Sequence, residues 1–254
     1  YEIGVRLVGS EMCIRDRLKN QEIVVNLEEP SELSECFPLL AERMVALSDG
    51  NEGNPLSVLI TSTCSGEGKT YLSVNLALSL AVAGKKVLLM DMDLRKGALS
   101  ALLGGAGKPG LGDLEQAGEG GWRSLVEQSP VSDHLDYLFA GTVPDHPSRL
   151  LLHDRIRKLM EEVKEQYDFI FMDCVPYSSL ADARIVARLA DVTLYVMRAG
   201  CVKKRDLAGL QKIWKNGELK RMGIVLCDVE PHGRSSRGYA VYRSLDTSSP
   251  CAGK

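Results

Sequence analysis

The stretch Thr63-Cys64-Ser65-Gly66-Glu67-Gly68-Lys69-Thr70 combines glycines, a lysine and a terminal hydroxyl at the spacing of a polyphosphate cradle. An apolar run, Ser57 to Thr61, precedes it, and a helical run, Tyr71 to Ala83, follows it. Strand, glycine turn, Gly-Lys-Thr and helix in that order give the pattern a mechanism. Backbone N–H groups of the turn would point inward around an anion, and the positive end of the helix would face the same point. Lys69 would lie on the β- and γ-phosphate oxygens, and the Thr70 hydroxyl would ligate Mg²⁺. Thr63 stands where the pattern usually opens with glycine, and a small hydroxyl residue fits there.

Two further groups of acids fall where such a loop needs them. Val87-Leu88-Leu89-Met90 is an apolar strand that runs into Asp91-Met92-Asp93-Leu94-Arg95. Carboxylates at i and i+2 leave the same side of an extended strand, so Asp91 and Asp93 are expected to face the bound nucleotide together. Phe169-Ile170-Phe171-Met172-Asp173 is a second apolar strand ending in a carboxylate, the Walker B form, in which Asp173 would hold Mg²⁺ through water.

These residues must be positioned by a regular frame, and the remaining chain supplies one. Strands are expected at 57–62, 86–91, 135–139, 168–172, 191–197 and 221–227. Helices are expected at 31–47, 70–83, 148–166, 180–189 and 203–214. In the first, Ser31 or Ser34 is the N-cap, Leu33, Phe37, Leu40, Met44 and Leu47 form the apolar stripe, and Pro38 either starts the helix or kinks it. In the 148–166 helix, Leu152, Ile156, Leu159, Met160, Val163 and Tyr167 share one stripe. A Gly-rich excursion occupies 104–121. Apolar strands alternating with helices predict an α/β fold, a P-loop NTPase-type parallel sheet with helices on both faces and ligands at the strands' C-terminal ends.

At 254 residues the chain holds one domain with a tail. Residues 1–17 read as a non-native, adaptor-derived segment, 18–55 as an N-terminal helix and linker, 56–230 as the P-loop domain, and 231–254 as a mobile, tyrosine-containing tail. A net charge of −3 gives no electrostatic case for nucleic acid as a partner. The longest apolar run, Tyr71 to Ala83, is too short to span a bilayer. Seven cysteines without a Cys-x-x-Cys pair, and four scattered histidines, suit a reducing compartment and offer no zinc site.

From about Ser31 to Tyr242 the chain resembles the bacterial tyrosine kinases, P-loop autokinases of capsule and exopolysaccharide export. Asp91-x-Asp93-x-Arg95 is similar to their second, modified Walker motif, and Ser65 to Thr70 to their Pro-Gly-Glu-Gly-Lys-Ser/Thr loop. Residues Gly141 to Leu151 resemble their Gly-x-x-Pro-x-Asn-Pro-x-Glu-Leu-Leu segment, and Tyr195 to Gly200 their Val-x-Val-Arg-x-Gly strand end. Asp182 stands where the family keeps an Asp after Walker B. The resemblance implies ATP and Mg²⁺ as cofactors, with Ser65, Gly66, Glu67, Gly68, Lys69, Thr70, Tyr71 and Arg198 at the nucleotide. Thr70, Asp91 and Asp173 would be at the metal, and Asp93, Asp91 and Lys69 would be catalytic. Tyr239 and Tyr242 match the tail tyrosines that such kinases phosphorylate. Also implied are a membrane polysaccharide co-polymerase or activator, fused or separate, self-association through the tail, and a cytoplasmic location at the inner face of the membrane.

The chain also departs from the family pattern. Glu35 opens the Glu-x-x-Arg-x-x-Arg helix, but Pro38 and Ala41 hold its two Arg positions. Asp173 is followed by Cys174-Val175-Pro176 rather than Thr-Pro-Pro. Cys227 replaces an asparagine beside the adenine, leaving Asp228 as the neighbouring polar group. Two other readings stay open. One is an ATPase switch of the septum-positioning or partition type, which would carry a second lysine at the position of Cys64. The other is a non-catalytic nucleotide-binding partner of a co-polymerase.

Overall fold

A computed structural model describes residues 25, 36–48, 53–118, 120–178 and 181–228. The 1–17 segment, Ser31, Leu33, Ser34, Glu35 and the tail with Tyr239 and Tyr242 lie outside the described residues.

Helix α1 (Cys36–Ala46) leads to β1 (Leu56–Ser62), α2 (Lys69–Val82), β2 (Val87–Asp91) and the short α3 (Ala98–Leu102). Next come a 3₁₀ turn (Leu111–Asp113), α4 (Leu114–Ala117), a second 3₁₀ turn (Gly121–Leu125), β3 (Val126–Gln128) and β4 (Leu135–Leu138). The chain continues as α5 (Pro147–Leu152), α6 (Asp154–Lys164), β5 (Phe169–Asp173), α7 (Ala181–Val186), β6 (Val192–Arg198), α8 (Lys204–Lys215) and β7 (Met222–Cys227). The seven strands form one sheet in the order β3-β4-β2-β5-β1-β6-β7. Every neighbouring pair is parallel except β3 with β4.

The strand period of two divides the core between the faces. Val58, Ile60, Val87, Leu89, Phe169 and Phe171 pack toward α1 and α2. Their alternates, Leu59, Leu88, Met90, Ile170 and Met172, pack toward α5, α6, α7 and α8. Helix α1 docks through Phe37, Leu40 and Met44, all buried, each worth about 2–3 kcal/mol in apolar burial. Pro38 falls in its first turn, where a missing N–H has no intrahelical partner to lose. Among the described residues no helix is long and apolar enough to cross a membrane.

Three expectations need correction. The 148–166 segment is two helices, broken at His153, whose extended backbone (ψ 143°) caps α6 by accepting the Arg155 N–H at Nδ1. Leu152, counted on the buried stripe, is instead 60% exposed on the C-terminal turn of α5. The sheet also carries a short antiparallel strand, β3, that closes one edge.

The Gly-rich excursion is folded tightly against the end of β4. Leu111 and Gly112 donate to the carbonyls of Phe139 and Ala140, and Asp113 accepts from the amides of Gly110 and Thr142. A Cβ at Gly112 would lie 1.9 Å from the Thr142 carbonyl oxygen, so only glycine fits there. Gly112→Ala is expected to destabilise the chain by about 3 kcal/mol, read as a lower denaturant midpoint at an unchanged slope.

Candidate nucleotide site

The loop after β1 turns into α2 through two left-handed glycines, Gly66 (φ 84°) and Gly68 (φ 95°), which no side chain could replace without strain. Gly68 caps α2 with no side-chain bond, so the first-turn N–H groups are open to an anion. Glu67 is buried and its carboxylate accepts the Cys64 N–H at 2.6 Å, closing the loop on itself. Lys69 lies across this loop, with Nζ 3.0 Å from Ser62 Oγ and 3.5 Å from the Cys64 carbonyl. Burial lowers the Lys69 pKa, opposed by the negative charges of Asp173, Glu67 and Asp93.

Asp173 ends β5 in register with Ile60 of β1 and Asp91 of β2. Its oxygens accept the Thr70 hydroxyl at 2.7 Å and the Ser73 hydroxyl at 3.0 Å. Burial pushes its pKa up to about 7, despite those two hydrogen bonds and the charge of Lys69. A hydroxyl and a carboxylate, both hard oxygen donors, meet what Mg²⁺ takes from a protein when water fills its other positions. Among the described residues no group of three or more His, Cys, Asp or Glu side chains is gathered tightly enough to hold a metal alone.

Asp91 and Asp93 differ in environment. Asp91 is wholly buried; Oδ2 accepts the Ser100 N–H (2.8 Å) and hydroxyl (2.7 Å), and Oδ1 accepts the Asp93 N–H. Burial raises its pKa to about 6. Both oxygens are thus engaged in pinning the turn that carries Asp93. Asp93 is half-buried; its Oδ1 accepts the amides of Arg95 and Lys96, and Oδ2 accepts no bond from the described residues.

Other expected residues are dispersed around this centre. Arg198, at the end of β6, donates from Nε to Asp228 at 3.0 Å and from Nη1 to the Gly66 carbonyl at 3.5 Å. The Tyr71 ring packs on Phe37 (centroids 6.3 Å apart), within the α1–α2 interface. Ser65 is exposed on the loop. Sequence reasoning missed Ser62, Ser73 and Ser100, and the role of Arg95, whose Nε binds Asp182 at 2.8 Å while Ser148 also donates to Asp182. Only Ser73 had a readable signal, three residues after Thr70 on one helix face.

The sequence matches the CobQ/CobB/MinD/ParA nucleotide binding domain over residues 58–253. It is 32% identical to the tyrosine-protein kinase YwqD of Bacillus subtilis, covering 86% of this chain and 91% of that protein. The chain belongs to the bacterial tyrosine kinase family. It is also 35% identical to the putative tyrosine-protein kinase EpsB of Ralstonia nicotianae, across 80% of this chain but only 27% of that relative's length. Among solved structures, the BceF tyrosine kinase domain superposes with a TM-score of 0.73 at 25% identity, covering 89% of this chain and 92% of that one. The mostly parallel sheet and its helices are those of a P-loop kinase domain.

Proposed function

We propose that this chain is the catalytic domain of an ATP-dependent protein-tyrosine autokinase that regulates polysaccharide synthesis or export. The observation that carries this reading is the convergence of Lys69, Thr70, Asp173 and Asp93 at the C-terminal ends of β1, β5 and β2, where a doubly wound sheet binds ligands. A tyrosine hydroxyl has a pKa near 10, so a positioned carboxylate must take its proton as it attacks the γ-phosphorus. Asp93 Oδ2 is the acceptor, and Asp91 and Ser100 fix the turn that presents it. Lys69 meets the charge that builds on the phosphoryl oxygens, and the loop amides hold the phosphates against water. Thr70 and Asp173 would hold Mg²⁺, which when bound neutralises the phosphate charge. Tyr239 and Tyr242 are the proposed acceptors, presented to a neighbouring copy, and a membrane polysaccharide co-polymerase is the proposed partner at the inner face of the membrane.

The test is incubation with ATP and Mg²⁺, followed by phosphosite mapping by mass spectrometry. Phosphotyrosine at 239 or 242 is the expected result, with the rate falling roughly 10²-fold or more in Asp93→Ala. ATP hydrolysis without phosphotyrosine would instead identify a switch ATPase, and nucleotide binding with neither would identify a non-catalytic partner.

A further inference from the structure

Charge is spread unevenly along this chain. The 41 residues from Ala181 to Arg221 carry ten Lys and Arg against four Asp and Glu, in a protein whose net charge is −3. Seven of those ten cations lie between Lys203 and Arg221, on α8 and the turns that flank it.

Helix α8 docks on the core through Leu210, Ile213 and Trp214. At about 100° per residue, the opposite arc holds Lys204, Leu207, Lys212 and Lys215, all exposed, with Arg205 at its margin. No acid shares that arc. Asp206, the one acid of α8, points back to the helix start, where it accepts the Lys203 N–H at 2.8 Å and caps the helix. Arg205 Nε is 3.7 Å from Asp206, and its side chain stays 77% exposed. Glu218, beyond the helix, is engaged by the Tyr177 hydroxyl and the Asn216 amide.

Four cations along about 16 Å of helix, unopposed on their own face, call for an extended anionic partner. Leu207 selects its class. It is 48% exposed among the lysines, and it gains nothing against the phosphates of a nucleic acid. At a bilayer it reaches the boundary between headgroups and acyl chains, while the lysine stems lie along that boundary and extend their ammonium groups to the phosphates. The rest of the chain carries more acids than bases, so it repels a polyanion that wraps around it. A plane meets only the α8 face.

We infer that the exposed face of α8 is a docking surface for an anionic phospholipid bilayer, with the helix lying in the headgroup plane. Because α8 joins β6 to the parallel β7, it runs back antiparallel to both. The strands then run along the membrane, and their C-terminal ends, with Lys69 and Asp93, open sideways where a neighbouring copy has access. The surface uses no residue of the nucleotide site, so it is independent of the proposed kinase activity.

The experiment is co-sedimentation of the full chain with vesicles of phosphatidylcholine, alone or mixed with phosphatidylglycerol, at low and high salt. Binding to the mixed vesicles only, lost at high salt, is the expected result. Each Lys or Arg at an anionic surface strengthens binding about fivefold, so Lys204→Gln/Lys212→Gln/Lys215→Gln should weaken it roughly 100-fold. Leu207→Asn, at unchanged charge, should weaken it severalfold. Lys85→Gln/Lys86→Gln, on the exposed turn between α2 and β2, should leave it unchanged. Melting temperatures establish that the variants are folded, and the wild-type series decides the question without them. Equal binding to both vesicles, binding to neither, or tighter binding to duplex DNA than to the mixed vesicles would overturn the assignment. So would binding that survives the triple substitution or Leu207→Asn, or that falls as far in Lys85→Gln/Lys86→Gln. Tyrosine phosphorylation is measured without vesicles, so its failure leaves this surface standing, and failure of vesicle binding leaves the kinase.

Discussion

Lys69→Met is expected to reduce phosphoryl transfer by roughly 10³-fold while leaving the empty protein as stable as before. The two halves of that expectation have separate causes. The ammonium lies across the phosphate loop against Ser62 and the Cys64 carbonyl, so its loss removes charge stabilisation where none of the neighbouring hydroxyls can replace it. In the empty protein its burial already opposes the charged form, and methionine places an apolar stem of similar length in the same space. A melting curve without ligand and a rate with ATP and Mg²⁺ measure the two separately. A large drop in melting temperature would mean that Lys69 is structural.

Asp173→Asn is expected to act in opposite directions on stability and on function. An unfolded Asp173 ionises near pH 4, whereas the folded one ionises near pH 7. Between those values the folded state holds a proton that the unfolded state has released, so the contribution of this group to stability falls as pH rises and levels off above 7. Asp91, raised to about 6 by burial, adds a slope of the same sign. Removing the buried charge should therefore stabilise the ligand-free chain at pH 8, by on the order of 2 kcal/mol, and flatten its stability between pH 4 and 7. The same substitution should abolish the extra stability conferred by Mg²⁺ with nucleotide and lower transfer about 10³-fold. Melting temperatures across pH 5 to 8, with and without Mg²⁺ and ATP, check all three, and a variant less stable at pH 8 would contradict the assignment.

The sequence makes legible those features whose cause is local. The β1 loop was readable because its glycines, lysine and flanking strand and helix are contiguous, and β2 and β5 because uninterrupted apolar runs end in acids. The break at His153 was hidden by a stripe that continues in register past it, and only the exposure of Leu152 in three dimensions reveals the turn. β3 escaped because three residues, two half-exposed and one exposed, carry no apolar alternation; they form a strand only because β4 lies beside them. The engagement of Asp91 with Ser100, and the contact between Arg95 and Asp182 across 87 positions, depend on tertiary placement that spacing does not encode. Asp91 and Asp93 share a motif and a strand direction, yet one is enclosed and the other reaches the surface.

The Glu67–Cys64 bond has a kinetic consequence. Because the carboxylate spans the loop from inside, the cradle keeps its shape by its own internal contacts, with Lys69 resting on Ser62 and Cys64. For the proposed kinase, exchange of diphosphate for triphosphate is then expected to proceed without refolding of the phosphate-binding backbone.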